Sequence, residues 1–266
     1  MRFARLLLFC VLSCGSTDGD PHSEHGVPPP SGKDLRIKQI TDPASDKKAK
    51  DQDTVALSGV MVVAYDTHDE TSNGKSAGTV YIQDVGSQEP YSGLSVFSAS
   101  FVPGNLRVGE GDVLDMTGQY VEAKNIGSTV TFATGAPLPQ MFRPTATFRE
   151  EVKPIEPKDI DVKDLQDYAT GRKWLNMLVR VKDVTVLADV IESGNSPRVS
   201  APMLPGNTQG KCEDPFPKPP VLVNELANLN SVNLKANTKV KEIVGVVTYF
   251  CNLHLAPRSP ADIKIN

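Results

Sequence analysis

The side chains best suited to chemistry in this chain are four cysteines, four histidines and one short acidic stretch, and their spacing decides what each can do. Cys14 follows Arg2, Arg5 and the apolar run of residues 6–12. A basic start, a short apolar stretch and a cysteine at the cut describe an export signal whose cysteine becomes the first mature residue and carries a lipid. The run is too short to cross a bilayer as a helix. An ordinary cleaved signal with an incidental cysteine is the alternative. Gly15, rather than Asp, after Cys14 favours the outer membrane. Cys10 would leave with the signal, so Cys212 and Cys251 remain as a pair in an exported chain and read as a disulfide. Its loop of about 40 residues would contribute roughly 4 kcal/mol through chain entropy. Two buried free thiols are the competing reading.

Carboxylates come together in DTHDETSNG (residues 66–74), where Asp66, Asp69 and Glu70 offer hard oxygen ligands. Their spacing matches no known calcium loop, and a solvated loop tip accounts for them equally well, so no metal is assigned. His22 and His25 have a ligand-like spacing but lie in GSTDGDPHSEHGVPPPSGKD (residues 15–34), a stretch with almost no apolar residues that reads as a flexible tether. His254 sits between Leu253 and Leu255, so strand alternation turns it away from the apolar interior. Arg258 reads as structural, pairing to a carboxylate, with Asp262 capping the chain end, and ligand binding is the alternative. No phosphate-cradling glycine loop, nucleophile elbow or paired metal-ligand motif is present, and no residue pattern asks for a cofactor.

These groups must be positioned by β-structure. VYIQD (residues 80–84) and SGLSVF (residues 92–97) alternate apolar and polar residues around a Gly- and Pro-containing turn, which predicts a hairpin. GVMVVAY (residues 59–65) precedes it, and VGEGDVLDMTGQYVE (residues 108–122) follows it as a further strand with an internal Gly. A fifth strand is expected at residues 128–133. Glycines inside strands mark the bends that close a small barrel, so the order predicts a five-stranded Greek-key barrel of OB type. Residues 135–144 carry three prolines and read as an extended connector, and residues 158–168 as a short amphipathic helix. A second barrel is expected from a strand at residues 174–187, short strands near 198–200 and 221–223, a helix at 224–230, and IVGVVTYF (residues 243–250), which repeats the apolar strand with a central Gly seen at residues 57–65.

Those segments, together with LHLAPRSPADI (residues 253–263), resemble the OB-fold modules that accompany bacterial secreted nucleases and also occur alone in surface lipoproteins. The resemblance runs from residue 35 to the end. It implies a mainly β chain with two tandem OB-fold barrels and short helices: signal 1–13, tether 14–34, first barrel with connector 35–150, second barrel 151–266. The nuclease catalytic domain that such modules accompany has no counterpart here, so a non-enzymatic role is expected.

The OB groove candidates are Tyr81, Phe97 and Tyr120 as a stacking platform, with Lys124 beside them. A formal charge of −4 argues against general phosphate binding, and loss of Arg2 and Arg5 with a signal makes it more negative. The expectation is therefore an exported, lipid-anchored, non-catalytic module that binds an envelope protein or an extracellular polymer such as a polysaccharide. A nucleic-acid-binding accessory to a separate secreted nuclease is the alternative.

Overall fold

In the computed structural model, residues 34–66, 78–97, 108–126, 129–191, 198–208 and 210–265 are described. The signal, nearly all of the tether, Asp69 and Glu70 lie outside them.

The chain is mainly β. It begins with α1 (Ile37–Thr41), whose Ile37 and Ile40 are fully buried. This helix is anchored from outside its own sequence: the Asp84 carboxylate accepts the N–H groups of Ile37 (2.8 Å) and Lys38 (3.0 Å). Five long strands then close a barrel: β1 (Thr54–Tyr65), β2 (Thr79–Asp84), β3 (Gly93–Phe97), β4 (Asp112–Ala123) and, after a minimal hairpin of β5 (Asn125–Ile126) and β6 (Val130–Thr131), β7 (Leu138–Glu151). Around the barrel the order is β1-β2-β3-β7-β4, with β4 returning to β1. The β3 and β7 pair is parallel and the other neighbours are antiparallel. Inward residues such as Val60, Val62, Ile82, Leu94, Leu114, Met116 and Met141 fill the interior.

Two expectations are corrected here. The fifth strand is not residues 128–133, and residues 135–144 are not a connector: from Leu138 the chain forms the longest strand of the barrel. Pro144 is tolerated because it falls where the β4 register slips between Thr117 and Gln119, next to Arg143 at φ 49. A proline at a bulge removes no ladder hydrogen bond. Phe132, Ala133, Ala136 and Leu138 instead bury themselves in the core of the second unit, where the Phe132 ring meets Tyr249 at 4.7 Å.

After β7 the expected helix at residues 158–168 is replaced by a short strand β8 (Lys158–Asp159), a 3₁₀ turn (Val162–Gln166) and a single turn of helix, α2 (Tyr168–Gly171). Asp161 and Asp167 each accept a backbone N–H two residues on, which breaks the segment into separate turns. The second sheet comprises β8, β9 (Leu178–Val186), β10 (Ser200–Pro202), β11 (Val221–Val223), β12 (Thr238–Phe250), β13 (Asn252–Ala256) and β14 (Ile263–Ile265). The strand expected from residue 174 starts at Leu178 because Asn176 takes a left-handed backbone, φ 62. Residues 224–230 form no helix; a 3₁₀ turn (Asn230–Val232) follows them.

The second unit repeats the pairing of the first up to its last step. β11 runs parallel to β13, and β13, β12 and β9 are antiparallel neighbours in turn. Closure would need β10 to pair with β9. Among the described residues only the Leu187 N–H reaches across, to the Pro202 carbonyl at 2.9 Å, and the sheet is open in the order β10-β11-β13-β12-β9-β8. The internal repeat also lies elsewhere than expected: β12, with Gly245, occupies the position of β4, with Gly118, and not that of β1. Each of these glycines admits its neighbour's atoms, since a Cβ would lie 2.5 Å from Met141 Cγ at Gly118 and 2.7 Å from the Ala256 carbonyl at Gly245.

The two units are welded side by side. Met61, Val63 and Ala64 from β1, Tyr81 from β2 and Val113 from β4 pack against Leu178, Val244 and Val246 of the second sheet. This explains why β1 is buried on both faces from Gly59 to Ala64, a burial that its unbroken apolar run anticipates. The Leu178 N–H donates to Gln83 Oε1 at 3.0 Å and the Tyr91 N–H to the Lys173 carbonyl at 2.7 Å.

Candidate functional site

Where the units diverge from this seam they leave a cavity of about 610 Å³. That volume lies inside the range of roughly 300–1,000 Å³ typical of small-molecule sites. One wall comes from the first barrel: Tyr81 from β2, Ser95 and Phe97 from β3, Gln140 and Phe142 from β7. The opposite wall comes from β11, β12 and β13 and the turn after β11: Val223, Glu225, Thr248, Tyr249 and His254. Asn176 forms part of the lining between them, and Ile126 and Phe250, 42% and 46% exposed, border it.

Strand alternation places these side chains. Leu253 and Leu255 of β13 are buried in the core, so His254 between them turns to the cavity face, as the sequence pattern predicts. Thr248 is its cross-strand partner on β12. Glu225 bridges the units above this pair: its Oε1 accepts the Tyr81 hydroxyl at 3.2 Å and its Oε2 accepts the Thr248 hydroxyl at 2.9 Å. His254 Nδ1 lies 4.0 Å from Oε2, close enough for charge attraction but too long for a hydrogen bond. Burial pushes the Glu225 carboxyl up, but His254, the Thr248 hydroxyl and the Arg198 charge outweigh it and hold the group below the usual carboxylate range. With both oxygens accepting from protein hydroxyls, Glu225 is a fixed and compensated charge.

Asp66, weighed as a calcium ligand, is instead 1% exposed and ion-paired with Arg198 at 2.8 Å, so a guanidinium already occupies its carboxylate. No group of three or more possible metal ligands occurs among the described residues. Arg198 and Glu225 are the only Arg, Lys, Asp or Glu lining the cavity among those residues.

The neutral polar groups differ from the charged ones. Asn176 is 1% exposed, yet neither its amide oxygen nor its amide nitrogen has a hydrogen-bond partner among the described residues. The Tyr249 hydroxyl and His254 Nδ1 are likewise unpartnered there. A buried amide left unsatisfied costs about 1–3 kcal/mol, so such a group calls for a hydrogen-bonding guest.

Of the residues proposed from sequence, Tyr81 and Phe97 line this cavity, and Phe97 packs on Phe142 at 5.4 Å. Tyr120 does not. It is fully buried inside the first barrel, its hydroxyl donating to Glu122 at 3.1 Å, because unbroken alternation along β4 puts it on the same inward face as Leu114 and Met116. Lys124 is exposed and lies outside the lining, although its neighbours Ala123 and Asn125 belong to it. Sequence reasoning missed Asn176, whose one signal is a polar residue interrupting the apolar run WLNMLV (residues 174–179). It also missed Glu225, which was placed in a helix.

Away from the cavity, Cys212 and Cys251 form the disulfide that export chemistry suggests. Lys218, 7% exposed, donates to the carbonyls of Cys212 (2.8 Å), Cys251 (3.1 Å) and Lys211 (3.3 Å) beside it. Arg258 grips Asp262 through Nε and Nη2, both at 3.1 Å, and reaches Glu110 of the first barrel at 2.7 Å. Both of these pairings hold the framework rather than the cavity.

The chain matches no protein-family model, no curated protein and no solved structure.

Proposed function

We propose that this protein is a non-catalytic binding module built from two OB-type units, exported and lipid-anchored through Cys14, that holds its ligand in the cavity between the units. The carrying observation is the buried Asn176 amide, unpartnered on both polar atoms among the described residues, in the lining of a cavity whose walls come from two different units. The pairing order of the first barrel, and its repetition in the open second sheet, support the OB reading. The anchoring rests on the arrangement of Arg2, Arg5, the apolar run and Cys14. The ligand would be part of an envelope protein or an extracellular polymer displayed at the same surface.

Ligand-observed NMR with a library of small polar and aromatic fragments, on the full chain and on Ser200→Trp, tests the site. Ser200 is exposed and lines the cavity, so the indole obstructs it without disturbing either core. Fragments that bind the parent and are lost from the variant support the reading; identical profiles refute it.

A further inference from the structure

The cavity separates its charged groups from its neutral ones, and this division defines the ligand. The Glu225 carboxylate accepts from Tyr81 and Thr248, and Arg198 is held by Asp66. A charged ligand would have to compete with these internal partners. Among the described residues the unpartnered polar atoms in the lining are those of the Asn176 amide, which offers a donor and an acceptor in either orientation, the Tyr249 hydroxyl, which can do both, and His254 Nδ1. Resting on the reading that the cavity is the binding site, we infer that its ligand is a neutral saccharide, an uncharged sugar unit of an extracellular or envelope glycan.

Three features favour a sugar over other neutral ligands. Polar groups occur on both walls, with Ser95 and Gln140 on one side and Thr248 and Asn176 beyond them, which suits a ring that carries hydroxyls around its whole edge. The two rings on the first wall are tilted, Phe97 against Phe142 by 53°, and give a single apolar face for the C–H side of a sugar, not the parallel plates that clamp a nucleobase, while the Tyr249 ring packs among Phe132, Tyr168 and Phe216. Among the described residues the one guanidinium in the lining is paired with Asp66, so a phosphate or a uronate would have to displace that carboxylate.

The test uses the full chain with two kinds of ligand, by saturation-transfer NMR and calorimetric titration. The first set is neutral saccharides: glucose, galactose, mannose, N-acetylglucosamine, and their di- and trisaccharides. The second is adenosine, uridine, choline and inorganic phosphate. At least one neutral saccharide is expected to bind, with an affinity that changes little with salt. Asn176→Gly is the discriminating variant, since glycine accepts the left-handed backbone at φ 62 while removing both amide groups. It should weaken that saccharide by roughly tenfold or more, and Tyr249→Phe by about 2- to 10-fold, with the thermal stability of the free protein kept or raised in both. Saccharide binding that survives both variants overturns the inference. Binding of a nucleoside, choline or phosphate in place of a sugar, lost in Asn176→Gly, refutes the saccharide and leaves the cavity as the site. No binding by either set, together with identical fragment profiles for the parent and Ser200→Trp, refutes both.

Discussion

Replacing Gly93 by alanine tests whether the two units are held rigidly enough to define one cavity. A Cβ at this position would lie 2.5 Å from the Leu175 carbonyl oxygen, 2.6 Å from Asn176 C and 2.8 Å from the Asn176 oxygen. Ordinary contact begins at 3.4 Å, so the backbones must separate by about 0.9 Å. Nothing there yields cheaply. The opposing atoms are main chain, and that chain is tied down by the Asn176 N–H to the Val247 carbonyl at 2.7 Å and by the Tyr91 N–H to the Lys173 carbonyl at 2.7 Å. Overpacking of this kind costs about 1–3 kcal/mol. For a chain of this size the melting temperature should fall by roughly 2–12 °C. The displaced atoms belong to Asn176, so binding in the cavity should weaken too. Gly109→Ala is the control, because its Cβ meets only Asp112 Oδ2 at 3.8 Å, and it should stay within about 0.5 kcal/mol of the parent. Calorimetry of both variants decides the matter. A Gly93→Ala melting temperature equal to that of the control would show that the seam is compliant and that the cavity is not a fixed shape.

Three further outcomes follow from the framework. Replacing Cys212 and Cys251 together by serine frees a loop of 39 residues and should cost roughly 4 kcal/mol, read as a lower urea midpoint; an unchanged midpoint would show that the loop is held by its other contacts alone. Asp84→Ala strips the acceptor from the Ile37 and Lys38 N–H groups and should destabilise by about 2 kcal/mol, with faster hydrogen exchange confined to α1 and β2. Exchange that stays slow in α1 would disprove the anchoring role of the carboxylate. Glu225 titrates below its unfolded value, so its contribution is present above about pH 4.5 and is lost as pH falls through the folded value. Glu225→Gln should therefore flatten the acid limb of a melting-temperature profile, and an unaltered limb would mean that Glu225 binds its proton equally in the folded and unfolded states.

Much of the first barrel is legible in the residues alone, and for a local reason. Residues 80–84 and 92–97 alternate with period two, and a strand needs nothing else to announce itself. The outward turn of His254 and the pairing of Cys212 with Cys251 were readable in the same way, from near neighbours or from the compartment implied by Cys14; that Arg258 pairs with a carboxylate was readable too, but its partners Asp262 and Glu110 were set by the fold. Tyr81 and Phe97 pointed to the correct wall of the cavity because their strands were correctly placed.

What the tertiary structure decided depends on partners distant in the chain. Residues 138–151 contain Pro139 and Pro144 and lack a clean period, yet they form a strand because β3 and β4 supply hydrogen-bonding edges on both sides and a bulge accommodates the second proline. Tyr120 shares a face with Leu114 and Met116 by plain alternation, but only the closure of the barrel decides that this face is the inside. The second sheet stays open where, among the described residues, only Leu187 meets Pro202. Asn176 acquires meaning from a cavity whose walls begin more than 80 residues before it and end beyond residue 250. Periodicity fixes the direction in which a side chain leaves its own strand; what it meets there is set by the packing of the two units against each other, which no single stretch of the chain encodes.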